Sequence, residues 1–192
     1  LFENVKGLLS HDNGQTFKII INLINEIGIY SVKWDLLSPH EHGWPQYRPR
    51  VFIVCIRKDA IKLPFYFSPK IKLNILASEL LDDHKIIKNP KLTPFELKNL
   101  NEHYNNIKSK IGDNLHKKYY FFDIGASPQY GLPRYEIVPC LKASRSNYYI
   151  SKLGRKLSIS EIEKIQGFHQ LDQNVSDTQY RKMLGNSMCV PV

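Results

Sequence analysis

The chain has 192 residues, a formal net charge of +9 and 42% hydrophobic side chains. This apolar content suits a packed core and argues against a disordered chain. The longest apolar runs fall well short of the roughly 18 residues that a membrane-spanning helix needs, so we expect no membrane partner. The positive charge favours polyanion partners, although a lysine-rich genome produces the same balance.

The first 58 residues alternate between helix and strand patterns. Thr16 is a candidate cap for a helix that ends at Gly28, and its apolar positions recur at helical spacing: Phe17, Ile20, Ile21, Ile24 and Ile27. Residues 29–37 alternate like a strand, residues 38–49 form a proline-rich loop, and residues 51–56 fit a buried strand. These features predict part of an α/β sheet domain.

The composition changes from about residue 59 to residue 137, where prolines recur and lysines are frequent. Thr93 and Glu96 form a capping box that predicts the start of a helix. A strand follows at residues 119–124 and a loop at residues 125–134. We interpret this region as an inserted module. Beyond it, Ser158 and Glu161 form a second capping box ahead of a short helix.

The three cysteines, Cys55, Cys140 and Cys189, are odd in number and far apart. They form neither a disulfide framework nor a C-x-x-C zinc motif, so we expect structural roles in a reducing, cytoplasmic setting. Residues 40–42 place two histidines around a glutamate, but no third ligand is near in the sequence. We therefore expect no metal site.

Four segments stand out. Residues 3–9 read E-N-V followed by K-G-L-L, and residues 43–54 contain G-x-P-Q-x-R-x-R ahead of a strand. Residues 155–168 contain R-K-L-S, a glutamate and Q-G-F, and residues 185–192 read G-N-S-M-C-V-P-V. In this order, the segments resemble the motifs of the cytosine-5 DNA methyltransferase family. The resemblance covers residues 1–58 and 138–192.

The resemblance implies an α/β fold: the C-terminal part of a Rossmann-like methyltransferase sheet with a small target-recognition module inserted. We assign residues 1–58 and 138–192 to the methyltransferase domain and residues 59–137 to the recognition module. The implied reaction is methyl transfer from S-adenosylmethionine to C5 of a flipped cytosine in a specific double-stranded DNA sequence. The implied setting is a bacterial restriction-modification system.

Roles for individual residues follow from the same resemblance. Glu3 is expected at N3 of the flipped cytosine and Arg50 at O2, where negative charge develops. Arg48 is expected to brace the site or to contact a phosphate. Asn186 and Ser187 occupy the positions that close the S-adenosylmethionine pocket in the family, although a Gly-Asn-Ser turn also serves as a helix start.

Six residues are candidates for contact with DNA. Gln46 belongs to this group, although it also suits a role in ordering its loop. Lys117 and Lys118 suit contacts with phosphates. Polar residues in the loop at 125–134 and just after the module suit contacts with base edges: Gln129, Arg134 and Arg145. An exposed polar side chain without function is an equal alternative for each of them.

The nucleophile of the family lies in a Pro-Cys-Gln segment upstream of the glutamate motif, as does the glycine-rich cofactor loop. Neither occurs in this chain, and Cys140 lies far downstream. We therefore expect an N-terminal half or a partner subunit to supply both. The absence of an initiator Met before Leu1 and the abrupt end at Val192 favour a fragment of a single-chain enzyme.

Three alternatives remain open. The chain could be one subunit of a naturally split enzyme, or a non-catalytic DNA-binding remnant. Retention of both Glu3 and Arg50 argues against the remnant. The third alternative is the RNA-methylating branch of the family, whose Cys-Phe-Thr segment is not found here.

Overall fold

The computed structural model describes residues 1–82, 86, 88, 90–130, 132–144, 147–169 and 171–191. This part of the chain contains two sheets and four α-helices. Short 3-10 turns link them: Lys6–Leu9, His11–Gly14, Pro39–Glu41, Lys58–Ala60, Ala77–Leu80, Gly112–Lys117 and Pro128–Tyr130. No described helix is both long and apolar enough to cross a membrane.

The first sheet has three strands in the order β1–β3–β2, namely β1 (Phe2–Val5), β3 (Arg50–Arg57) and β2 (Tyr30–Leu37). Strand β3 is antiparallel to both neighbours, so β1 and β2 run parallel to each other. Helix α1 (Gln15–Glu26) makes the crossover between them, as parallel strands require. The sequence predicted this helix and both longer strands, and the structure confirms them.

Helix α1 packs its apolar stripe on one face of this sheet. Phe17 joins Val51 and Ile53 in a core that the aliphatic side chains of the helix extend. The prediction that Thr16 caps the helix is wrong. The N-cap residue is Gly14, at φ 84°, and the Thr16 hydroxyl lies 2.7 Å from His11 Nδ1.

The second sheet has four antiparallel strands in the order β5–β4–β6–β7. They are β4 (Tyr120–Asp123), β5 (Arg134–Tyr135), β6 (Tyr148–Ile150) and β7 (Arg155–Lys156). Strands β6 and β7 lie beyond residue 137, so the predicted module boundary falls inside this sheet. The reason is that residues 148–150 are all buried and show no alternation that identifies a strand.

Helices cover both faces of the second sheet. Because successive strand residues point to opposite faces, Phe121 and Phe122 enter two different cores. Helix α2 (Pro94–Ile111) packs against the face of Phe122. Helices α3 (Ile159–Ile165) and α4 (Asp177–Asn186) pack against the face of Phe121. This sheet is therefore buried on both sides.

Three helices begin with a capping box, in which a side-chain oxygen at the cap and the side chain three residues later satisfy exposed amides. The structure confirms the predicted boxes at Thr93 and Ser158. A third box at Ser176 starts α4, which the sequence analysis did not predict. Asn186 is the last residue of α4, so the alternative that this turn starts a helix is wrong.

A buried ion pair fastens α3 to the second sheet. Arg155 donates from Nη1 and Nη2 to Glu161 Oε2 and Oε1 at 2.8 and 2.5 Å. The same carboxylate accepts from the backbone amides of Ser158 at 2.7 Å and Asp82 at 3.0 Å. Hydrogen bonding to Glu161 raises the pKa of Arg155. One carboxylate thus joins strand β7, helix α3 and the segment before α2.

Candidate active site

Glu3 and Arg50 form an ion pair at the end of the first sheet. Glu3 stands opposite Phe52 and Arg50 stands opposite Val5 in the β1–β3 register, so the two are diagonal neighbours on one face. Arg50 Nε lies 2.9 Å from Glu3 Oε1, and both side chains stay partly exposed, at 15% and 23%. A carboxylate and a guanidinium are therefore held side by side with access to a ligand.

Cys140 lies against this pair. Its Sγ is 3.5 Å from Arg50 Nη2 and 3.7 Å from Arg48 Nη1, and the residue is half-buried. Sequence reasoning gave Cys140 a structural role and missed this position. The contacts span about 90 residues, so local sequence patterns carry no signal for them.

Arg48 is buried, and both terminal nitrogens of its guanidinium bind the protein itself. Nη1 donates to Leu141 O at 2.6 Å, and Nη2 donates to Gly185 O at 3.2 Å and to Ser187 O at 2.8 Å. Only 5% of the residue is exposed. Of the two expected roles, this geometry fits bracing, since no face is presented to a phosphate.

Gln46 is fully buried, at 0% exposure. Its Nε2 donates to Gln166 Oε1 at 2.8 Å, and its backbone pairs with Val138 in an isolated bridge. The neighbouring Trp44 donates from Nε1 to Ile165 O at 2.7 Å. Because Gln46 is buried, it does not fit the expected contact with DNA. Its burial fits the other expected role, which is to order the loop.

Asn186 and Ser187 lie at the end of α4. The Ser187 hydroxyl donates to Leu184 O at 2.7 Å and accepts from Gln166 Nε2 at 3.0 Å. The Asn186 side chain is exposed and makes no hydrogen bond within the part of the chain that the structure describes. Of the two, only Asn186 therefore has a side chain that is available to a ligand.

A cleft of about 270 Å³ opens beside Cys140, which contacts Arg50 of the ion pair. It lies between the loop before β3 and the second sheet. Its wall includes two predicted DNA-binding residues, Gln129 and Arg134. The Arg134 guanidinium lies over the Tyr47 ring, 3.8 Å from its centroid. The remaining lining residues come from strand β4, the loop after it and the segment after residue 138: Asp123, Leu132, Pro139, Cys140 and Lys142.

The other predicted DNA contacts lie apart from the cleft or outside the described residues. Lys117 and Lys118 are exposed at the turn before β4, and Lys118 Nζ is 5.9 Å from the Tyr135 ring centroid. Arg145 is outside the described residues.

The histidines around Glu41 are not gathered into a metal site. Glu41 accepts from Lys70 Nζ at 2.6 Å, and His40 Nδ1 lies 2.9 Å from Ser38 Oγ. Across the described ranges, no group of three or more His, Cys, Asp or Glu side chains is arranged to hold a metal ion.

The family model for C-5 cytosine-specific DNA methylases matches residues 1–192, the whole of the chain. The chain belongs to the C-5 cytosine-specific DNA methylase family. It is 32% identical over 193 residues to type II methyltransferase M.HaeII of Haemophilus aegyptius. It is 29% identical over 203 residues to type II methyltransferase M.NgoBI of Neisseria gonorrhoeae. Both alignments cover 100% of this chain and 57% of the relative. The chain thus spans little more than half the length of these methylases.

Solved methyltransferases share the fold. The structure of Entamoeba histolytica methyltransferase EhMeth superposes with a TM-score of 0.56 over 98% of this chain and 57% of that protein, at 20% sequence identity. The predicted fold class is confirmed: the chain is a mixed α/β protein with two sheets, and its structural neighbours are methyltransferases.

Proposed function

We propose that the protein transfers a methyl group from S-adenosylmethionine to C5 of cytosine in a specific DNA sequence. In this proposal the chain supplies the half of the active site that stabilises charge on the base. The observation that carries the proposal is the 2.9 Å pairing of Glu3 with Arg50. Both residues lie in a chain that matches the methylase family over its whole length.

The chemistry explains why this pair is needed. C5 of cytosine is a poor nucleophile until a thiolate adds to C6, which requires the base to be flipped out of the duplex. Negative charge then develops on N3 and O2 of the ring. The Glu3 carboxyl can share a proton at N3 and accept from the N4 amino group. The Arg50 guanidinium can face O2 without losing its proton.

Supporting residues hold this pair and the cofactor. Arg48 ties the loop before β3 to the end of α4 through its three carbonyl partners, and we assign it to bracing. S-adenosylmethionine supplies the methyl group when bound. The free and exposed side chain of Asn186 fits one wall of its pocket, whereas Ser187 holds the turn.

The DNA lies, in this proposal, along the cleft between the loop before β3 and the second sheet. Lys117 and Lys118 meet phosphates, and Gln129 and Arg134 face base edges. We retain Arg145 as a further DNA contact from the sequence alone. Since β6 and β7 complete the second sheet, we extend the recognition module from residue 59 to residue 156.

The thiolate and the cofactor loop come from a polypeptide that precedes this region in the family or from a separate subunit. Within the described residues, β1 has a strand partner on one side only. The apolar side chains of Leu1, Phe2 and Val5 on and beside it are more than half exposed. We propose that the rest of the methyltransferase sheet joins here. A bacterial restriction-modification enzyme of this kind would work in the cytoplasm, where its DNA is.

The test is transfer of tritiated methyl groups from S-adenosylmethionine to DNA by the full-length gene product, or by this chain with its partner polypeptide. We expect Glu3→Gln and Arg50→Lys each to lower the rate about 100-fold or more. Glu26→Gln, a matched change on exposed α1, should leave it unchanged. Cys140→Ser should retain most of the activity, because the nucleophile is expected elsewhere.

The outcomes separate the alternatives. DNA binding without methyl transfer in any form would support a non-catalytic remnant. Loss of activity in Cys140→Ser equal to the loss in Glu3→Gln would place the nucleophile in this chain. Methylation of transfer RNA in preference to DNA would support the RNA-methylating branch.

A further inference from the structure

Asp123 is the deepest charged residue of the cleft beside the active site. It ends strand β4 between Phe122 and Ile124, which are both fully buried, and it is itself 2% exposed. Its Oδ2 lies 2.5 Å from Lys142 Nζ. Its Oδ1 is buried and has no hydrogen-bond partner among the described residues, yet the residue lines the cleft.

An unpaired buried carboxylate oxygen is costly. Leaving such an acceptor unsatisfied costs about 1–3 kcal/mol or more, and native structures rarely accept this cost without a function or a bound group. The backbone around Asp123 leaves it little freedom, because Asp123 O is 3.3 Å from His103 Nε2. Oδ1 is thus an acceptor that is held ready for a donor entering through the cleft.

The partner of Oδ2 is also held in place. The Lys142 amide donates to Tyr148 Oη at 2.9 Å, and that hydroxyl donates to Cys140 O at 2.9 Å. Lys142 occupies one of the two carboxylate oxygens of Asp123. The carboxylate therefore presents a single acceptor in a defined direction.

The rest of the cleft suits the edges of bases. Gln129 and Leu132 are exposed at its rim, and the Arg134 guanidinium is oriented by its contact with Tyr47. A planar guanidinium suits the two acceptors of guanine, and an aspartate suits the N4 amino group of cytosine in the major groove.

Building on the proposed function, we propose that Asp123 is a specificity-determining residue that accepts a hydrogen bond from the N4 amino group of a cytosine in the recognition sequence. Arg134 faces the guanine of the same base pair. This cytosine is distinct from the methylated base, which belongs at Glu3 and Arg50. The cleft therefore reads a C·G base pair beside the target.

The variant Asp123→Asn tests this assignment because Lys142 fixes which way the new amide group points. Lys142 needs an oxygen, so the asparagine amide must point its oxygen there and its NH₂ group into the cleft. The acceptor becomes a donor, which matches O4 of thymine. The control is Asp82→Asn, which changes another aspartate paired to a lysine, Lys164, at 2.6 Å outside the cleft.

The experiment is methylation of a randomised library of hairpin-linked DNA duplexes by the full-length protein. Bisulfite sequencing reads both strands, so the opposite G or A still distinguishes C from T at non-target positions. Bound DNA is selected from the same library in parallel. The wild-type protein should require C over T at one non-target position by about tenfold. Asp123→Asn should lose or reverse that preference and leave the other positions unchanged, and Asp82→Asn should keep the wild-type pattern. An unaltered pattern in Asp123→Asn overturns the proposal.

A second measurement uses only the wild-type protein. Uracil is placed in turn at each non-target cytosine of the preferred site, which exchanges the N4 amino group for a carbonyl. Binding should fall about tenfold at one position, and binding that is insensitive at every position contradicts the assignment. The wild-type protein could fail to methylate DNA and still show a binding preference for C that Asp123→Asn alters. That result would overturn the proposed function and leave this inference standing.

Discussion

Removal of the Glu161 carboxylate should destabilise the protein more than any exposed charge change. In Glu161→Ala, Arg155 stays behind with 10% of its side chain exposed and no anion to pair with. The amides of Ser158 and Asp82 lose an acceptor as well. Breaking a buried pair from one side costs about 3–5 kcal/mol. Water entering the site partly replaces the lost amide contacts, so we expect the total to stay within this range.

The measurement is urea unfolding of the full-length gene product at pH 7, followed by tryptophan fluorescence. The control is Lys98→Ala, since the Lys98–Glu102 pair is 3.9 Å long and exposed and should contribute less than about 1 kcal/mol. The double variant Arg155→Leu with Glu161→Leu should recover part of the loss, because no buried charge is left unpaired. If Glu161→Ala has the same urea midpoint of unfolding as Lys98→Ala, the reasoning is refuted.

Three further predictions concern other sites. Gly185→Ala should lower the free energy of unfolding by about 1–3 kcal/mol in the same assay, because a Cβ at Gly185 overlaps the backbone of Lys142; a value within error of the wild type would contradict this. Burial lowers the pKa of His103 from 6.5, so protons favour the unfolded chain, and stability should fall as pH drops below about 6.5 until the folded-state pKa is passed. His103→Gln should flatten that dependence, and an unchanged pH profile of unfolding would argue against it. Burial raises the pKa of Cys189 to about 12, so iodoacetamide at pH 8 should modify it, by mass spectrometry, only after denaturation; modification in the folded protein would show that the thiol is accessible.

Local sequence signals were enough for several elements of this fold. Capping boxes at Thr93 and Ser158 gave the starts of two helices, because both partners of each box lie within four residues of sequence. The same rule applied to Ser176 and Gln179 predicts the start of α4, which had been overlooked. The simple expectation that Thr16 caps α1 failed because His11 of the preceding turn contacts its hydroxyl.

Features that depend on residues far apart in the sequence were harder to predict. The resemblance to the methylases paired Glu3 with Arg50, and the structure places them in contact; their catalytic roles stay a prediction. Nothing local indicated that Cys140 lies against Arg50, or that Asp123 lies deep in the same cleft. These positions depend on how the second sheet docks on the loop before β3, which involves contacts across about 90 residues of sequence.

The contacts of Arg48 also fix the order in which the site can assemble during synthesis. Its guanidinium holds carbonyls that lie 93, 137 and 139 residues further along the chain. A nascent chain that has not yet exposed residue 187 to solvent therefore lacks the brace behind Arg50. Contacts of such long sequence separation form late in folding. A chain truncated before the last turn of α4 would keep the ion pair but would lose two of the three carbonyl partners of Arg48.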